Sequence, residues 1–99
     1  MSSGVNRMMV GSVKLDGTAY DVRTVGFRPR KVELMNSDGL VFARWQKSMP
    51  DASMMKQVTA GTVSFATSDG ITPLSDGFTI GADGDVNASG ERVHWAAWE

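Results

Sequence analysis

Along most of the chain apolar residues recur at every second position, in short runs separated by turns rich in Gly, Asp and Asn. A period of two predicts β-strands with one face buried. The runs are Arg7 to Leu15, alternating around Met9, Gly11, Val13 and Leu15, and Ala19 to Val25, alternating through Tyr20, Val22 and Thr24. Lys31 to Asn36 places Val32 and Leu34 on one face, and Leu40 to Gln46 carries Phe42 and Trp45. These two flank Asp38-Gly39 and form the clearest hairpin. Gln57 to Ala66 alternates through Val63 and Phe65, Gly77 to Gly81 presents Phe78 and Ile80, and Arg92 to Trp98 closes the chain.

Asp-Gly pairs stand at Asp16-Gly17, Asp38-Gly39, Asp69-Gly70, Asp76-Gly77 and Asp83-Gly84. Gly accepts positive φ and Asp bonds its own backbone nearby, so each pair is expected to turn the chain. Ser48 to Lys56 interrupts the alternation. Pro50 lacks a ladder donor and Ser48 suits a helix cap, so the segment is expected to be a surface loop with one helical turn, Met54 and Met55 behind it. The fold class expected is all-β: an antiparallel β-sandwich or jelly-roll-like barrel of about seven to eight short strands.

The 99 residues are read as one domain, 1–99, with residues 1–6 as a candidate N-terminal arm. A chain of this size hides only roughly 60–70% of its unfolded surface when it folds alone, so an apolar contact with another subunit would add to its stability. There is no cysteine, which fits assembly in a reducing cytoplasm, and no apolar run suited to a leader or a membrane span.

Net charge is −1, too small for a field that attracts polyanions, so neither nucleic acid nor membrane is an expected partner. The charge is unevenly spread. Residues 1–56 hold nine basic and five acidic residues, net +4; residues 57–99 hold Arg92 and six acids, net −5. Either this asymmetry orients subunits on one another, or strands from the two halves interleave and it averages out.

Asp83-x-Asp85-x-Asn87 has the alternating oxygens of a calcium loop, but the EF-hand's Gly and Glu positions are Ala88 and His94, so the stretch is expected to be a plain acidic turn. His94 is the one histidine, which within a single chain excludes a multi-histidine zinc site. No Gly-x-Ser-x-Gly elbow and no Gly-Lys-Ser/Thr phosphate loop is present. The carboxylate pair Asp76 and Asp85 is the weak remaining case for acid–base work. The expectation is a chain that is not an enzyme and needs no metal or cofactor.

What remains is surface chemistry. Arg28, Arg30 and Lys31 surround Pro29, a basic cluster suited either to an acidic neighbour or to guarding a strand edge. Three tryptophans and seven methionines are generous for this length. Tryptophan anchors interfaces and methionine adapts to irregular contacts. In the closing strand Trp95 shares a face with Val93, while Trp98 shares the other with His94 and Ala96, so one aromatic serves the core and the other is available to a neighbour. The candidate contact residues are Met8, Met9, Arg28, Arg30, Lys31, Trp45, Trp95 and Trp98.

The order Gly26-Phe27-x-Pro29-x-x-Val32, then a long hairpin, then Asp76-Gly77-Phe78-Thr79-Ile80-Gly81, the turn Val86-Asn87-Ala88-Ser89-Gly90 and an aromatic-rich last strand resembles small β-sandwich structural proteins of tailed bacteriophages. The likeness covers roughly residues 24–98. It implies a non-enzymatic virion protein that assembles in the host cytoplasm and works as a homo-oligomer, with a trimer favoured. Fibre members usually continue from a longer stalk. Here the module is nearly the whole chain, which points to a capsid decoration or cement protein bound to the major capsid protein or other virion subunits. The alternative is a tail or fibre accessory module whose aromatics bind host surface glycan.

Overall fold

The computed structural model describes residues 7–99; the candidate arm at 1–6 lies outside them. The described chain is all-β, with eight strands and no helix: β1 (Met8–Lys14), β2 (Tyr20–Val22), β3 (Lys31–Asn36), β4 (Val41–Gln46), β5 (Ser53–Gln57), β6 (Val63–Leu74), β7 (Gly77–Ile80) and β8 (Arg92–Trp98). All pairings are antiparallel and make one sheet in the order β1-β8-β3-β4-β5-β6-β7-β2. The sheet is open, with β1 and β2 at its edges, but strongly curled. β7 and β8 are far apart in the sheet order, yet the rings of Phe78 and Trp95 meet edge-on, centroids 5.5 Å apart. A curl of this kind lets a single sheet enclose a core, the task shared by two sheets in a sandwich.

The period of two decides which residues enter that core. Val32 and Leu34 of β3, Ala43 and Trp45 of β4, Phe78 and Ile80 of β7, and Val93, Trp95 and Ala97 of β8 are all buried. Leu15, Val25, Phe27 and Val86, from the connections, close the ends. Phe27, two residues before Pro29, is buried in the same core. Each large side chain so buried contributes roughly 1.5–3 kcal/mol.

Gly11 and Gly77 are among the glycines required by close approach. Gly11 stands opposite Trp95, and a Cβ there would lie 2.6 Å from the indole. A Cβ on Gly77 would run into the backbone carbonyl of Val22, so no larger residue lets β2 lie against β7.

The chain departs from expectation in three places. Ser53–Gln57 is a strand, β5, not part of a loop with a helical turn. Its adjacent Met54 and Met55 hid the alternation, but one points into the core and the other out. Gln57 accordingly ends β5, and Val58–Thr62 is a hairpin loop rather than strand. Asp69-Gly70 does not turn the chain. It lies in a bulge of β6, where the partners of Ser53 and Met54 jump from Ile71 to Ala66. Asp69 there takes φ 57°, and Gly70 packs against the backbone of Ser53. Finally, β2 keeps only three residues of the expected Ala19–Val25 run.

The halves of opposite charge interleave. β8 inserts between β1 and β3, and ion pairs link Arg7 to Glu99, Arg23 to Asp76, and Lys56 to Asp83 and Asp85. The asymmetry of the sequence is therefore largely cancelled in space.

Candidate interaction surface

The convex face of the sheet is unusually apolar for a surface. Register places Met35 of β3 opposite Phe42 of β4, Phe42 opposite Gln57 of β5, and Gln57 opposite Val63 of β6. In the neighbouring row Glu33, Arg44, Met55 and Phe65 follow one another across the same strands. Phe42 and Val63 are both 57% exposed, and Met35, Met55 and Phe65 are exposed as well. A shallow trough of about 480 Å³ runs between Phe42, Arg44, Met55, Gln57 and Val63. Met35, Phe42, Met55, Val63 and Phe65 together present roughly 500 Å² to solvent, at the upper end of what a monomer ordinarily leaves uncovered.

Alternation itself puts these residues outside. On β4, Val41, Ala43 and Trp45 occupy the inner positions, so Phe42 and Arg44 point out. Sequence reasoning took Phe42, Val63 and Phe65 as the apolar positions of their strands without separating the faces. The signal was present: Phe42 and Trp45 are an odd number of residues apart and cannot share a face.

The residues nominated from sequence divide into groups. Trp45 and Trp95 are corrections: they are 2% and 6% exposed, lie on the concave side and belong to this chain's own core. The Trp45 indole N–H donates to the carbonyl of Pro50, and Trp95 covers Gly11 and meets Phe78. Met8, Trp98 and Lys31 are brought together in one row at the end of the convex face, Met8 opposite Trp98 and Trp98 opposite Lys31. The Lys31 ammonium sits 4.9 Å from the Trp98 ring centre and 3.4 Å from a Glu33 carboxylate oxygen. Met9 faces the other way, at the rim of the concave side beside Ala97. Arg28 and Arg30 are exposed and line a separate hollow with Pro29, Trp45 and Pro73. Arg30 also donates to the backbone oxygen of Glu99.

The Asp83-to-Asn87 turn is built by its own chain. Asp83 accepts from the backbone N–H of Asp85 and of Val86, and its other oxygen takes the Lys56 ammonium at 2.7 Å. Asp85 takes the same ammonium, also at 2.7 Å. Burial works against the Lys56 charge, but the two carboxylates outweigh it and hold the ammonium's pKa above its ordinary value. Lys56 thus supplies the positive charge such a turn would otherwise seek. Asn87 turns away from the two carboxylates. It is buried, donates to the carbonyls of Thr18 and Gly81, and accepts from the N–H of Gly17, so it ties its own turn to two other stretches of backbone. His94 is exposed on the convex face beside Met35. Among the described residues no group of three His, Cys, Asp or Glu side chains is placed to hold a metal ion.

No protein-family model, curated protein or solved structure matches this chain.

Proposed function

We propose that this chain is a structural subunit whose task is to bind surface to surface, and that its setting is the particle of a tailed bacteriophage, as a decoration or cement protein on the head. The convex apolar face carries the first part of the proposal; the resemblance of residues 24–98 carries the second. The two aromatic and three aliphatic side chains of that face lie on four adjacent hydrogen-bonded strands and so form a stiff, preshaped contact. Arg44 and Glu33 lie among them and would give the contact its orientation. Covering about 500 Å² of apolar surface, with polar neighbours included, approaches the ~800 Å² per partner of a specific interface. A subunit that binds only the assembled shell stabilises it by mass action, and repeated copies add multivalency.

The test is a Phe42→Lys/Phe65→Lys double variant, mixed with matured shells of a tailed phage from the same source. Wild type should sediment with the shells and raise their melting temperature. The variant should fold with an unchanged unfolding midpoint and stay in the supernatant. A wild-type chain that ignores shells but binds host glycan assigns the face to a tail or fibre module. A wild-type chain that binds neither, or a double variant that binds as well as wild type, refutes the proposal.

A further inference from the structure

We infer that β1 is a self-pairing edge, and that the partner it fits is β1 of a second copy of this chain, antiparallel about a two-fold axis through Gly11. The phase of the β1–β8 ladder shows which backbone groups are free. The Glu99 N–H donates to the Arg7 carbonyl at one end, and the Leu15 N–H donates to the Glu91 carbonyl at the other, both at 2.9 Å. Hydrogen-bonded positions alternate along an antiparallel strand. Residues 7, 9, 11, 13 and 15 therefore face β8, and the N–H and C=O groups of Met8, Val10, Ser12 and Lys14 point outward. Among the described residues nothing bonds to them on that side.

Of the devices that normally blunt an edge, proline and a bulge are absent along this stretch, and the one charge within β1, Lys14, stands at its end. The register of β1 with β8 runs unbroken from Met8 to Lys14. Met8, Met9 and Val10 are exposed, Val10 at 62%. Such an edge accepts another extended strand.

The pattern of the strand selects a copy of itself. Pairing about Gly11 sets Val10 against Ser12 and Met8 against Lys14 of the second copy, in both directions, and satisfies every outward group. A shift of two residues either way leaves some unpaired. The same register sets Met9 against Val13 on the concave side. It brings Gly11 against Gly11 at a position that is not hydrogen-bonded, where the chains come closest, about 4.5 Å between Cα atoms, and where neither carries a side chain. Pairing of β1 with the opposite edge of another copy is poorer, because β2 offers only three residues. The two-fold axis stands perpendicular to the sheet, so both convex faces end up on the same side and form one doubled surface. The edge is distinct from the Phe42–Phe65 face, so the two proposals fail separately.

The test is the mass of the chain in solution across micromolar to millimolar concentrations, with hydrogen exchange at the edge. Wild type is expected at twice its 10.6 kDa, with the Met8, Val10, Ser12 and Lys14 amides protected. Val10→Pro removes only an outward N–H and spares every bond to β8, a place where an edge strand tolerates proline. It is expected at the mass of one chain, still folded, with an unfolding midpoint that does not rise with protein concentration as that of wild type does. Val10→Lys, which needs no backbone change, should do the same and should expose the four amides. Wild type at the mass of one chain or of three overturns the inference. So does a Val10→Lys variant that remains a dimer with those amides protected.

Discussion

Asn87→Asp is the sharpest single test of how the connections are held to the sheet. The substitution exchanges one NH2 for an oxygen and leaves the shape nearly unchanged. Asn87 is 2% exposed, and its NH2 donates to Thr18 O at 2.7 Å and Gly81 O at 2.9 Å. In the variant an oxygen faces both carbonyls. Two hydrogen bonds are lost, each worth about 1 kcal/mol net, and two carbonyls are stranded. The carboxylate is also held away from water without a cation, which raises the total to about 3–5 kcal/mol. A domain of this size has only about 5–15 kcal/mol of stability to lose. The assay is urea unfolding followed by tryptophan fluorescence, since Trp45 and Trp95 are interior reporters. With a urea slope of about 1–3 kcal/mol per molar, the midpoint should fall by about 2 M at neutral pH. The sign with pH is also determined. Burial raises the new carboxyl's pKa in the folded state above its unfolded value of about 3.9. The penalty therefore grows as pH rises from that value through the folded pKa, and is smallest in acid, where the protonated group can donate to one carbonyl. A loss under about 1 kcal/mol at neutral pH, or a loss independent of pH, refutes this account of Asn87.

Lys56→Met should cost about 1–3 kcal/mol by leaving Asp83, nearly buried, without its cation. Because the folded-state pKa of Lys56 is raised, its contribution is fully present below about pH 10.5 and is lost as pH rises through the folded value; a wild-type unfolding midpoint that falls in that window, and a Lys56→Met midpoint that does not, is the expected pair of curves. At the acid end, hydrogen bonds from Thr18 lower the pKa of Asp16, and the Arg7 guanidinium lowers that of Glu99. The stability they add is present above their unfolded values and fades as pH falls through the folded ones, so Glu99→Gln should flatten the acid limb of a melting-temperature profile. Gly77→Ala should separate β2 from β7 and lower the melting temperature by several degrees or more, whereas Gly84→Ala, with open space around it, should leave calorimetric melting nearly unchanged.

A good share of the fold could be read along the chain. The hairpin of β3 and β4 and the strands β7 and β8 stand where alternation and turn residues put them, because a half-buried strand imposes period two on its own sequence. β5 escaped because its buried Met54 and exposed Met55 are chemically alike, and because Pro50 reads as a break. Asp69-Gly70 misled because a bulge and a turn need the same residues, one tolerant of positive φ and one without a side chain.

The candidate surface was less legible than the fold. Alternation says that Trp95 and Trp98 lie on opposite faces, and it separates Phe42 from Trp45 in the same way, but it does not say which face is inside. Closure of the sheet decides that. Curling brings Phe78 of β7 onto Trp95 of β8, makes the Trp45 and Trp95 side the interior, and leaves Phe42, Met55, Val63 and Phe65 in water. The placement of Lys56 on Asp83 and Asp85 likewise joins residues 27 and 29 positions apart, and no local pattern encodes it. Composition and periodicity determined that this chain is all-β, and where most of its strands run, because those are properties of neighbours along the chain. Only the tertiary structure decided which apolar residues are core and which are surface, because that depends on what the sheet curls around.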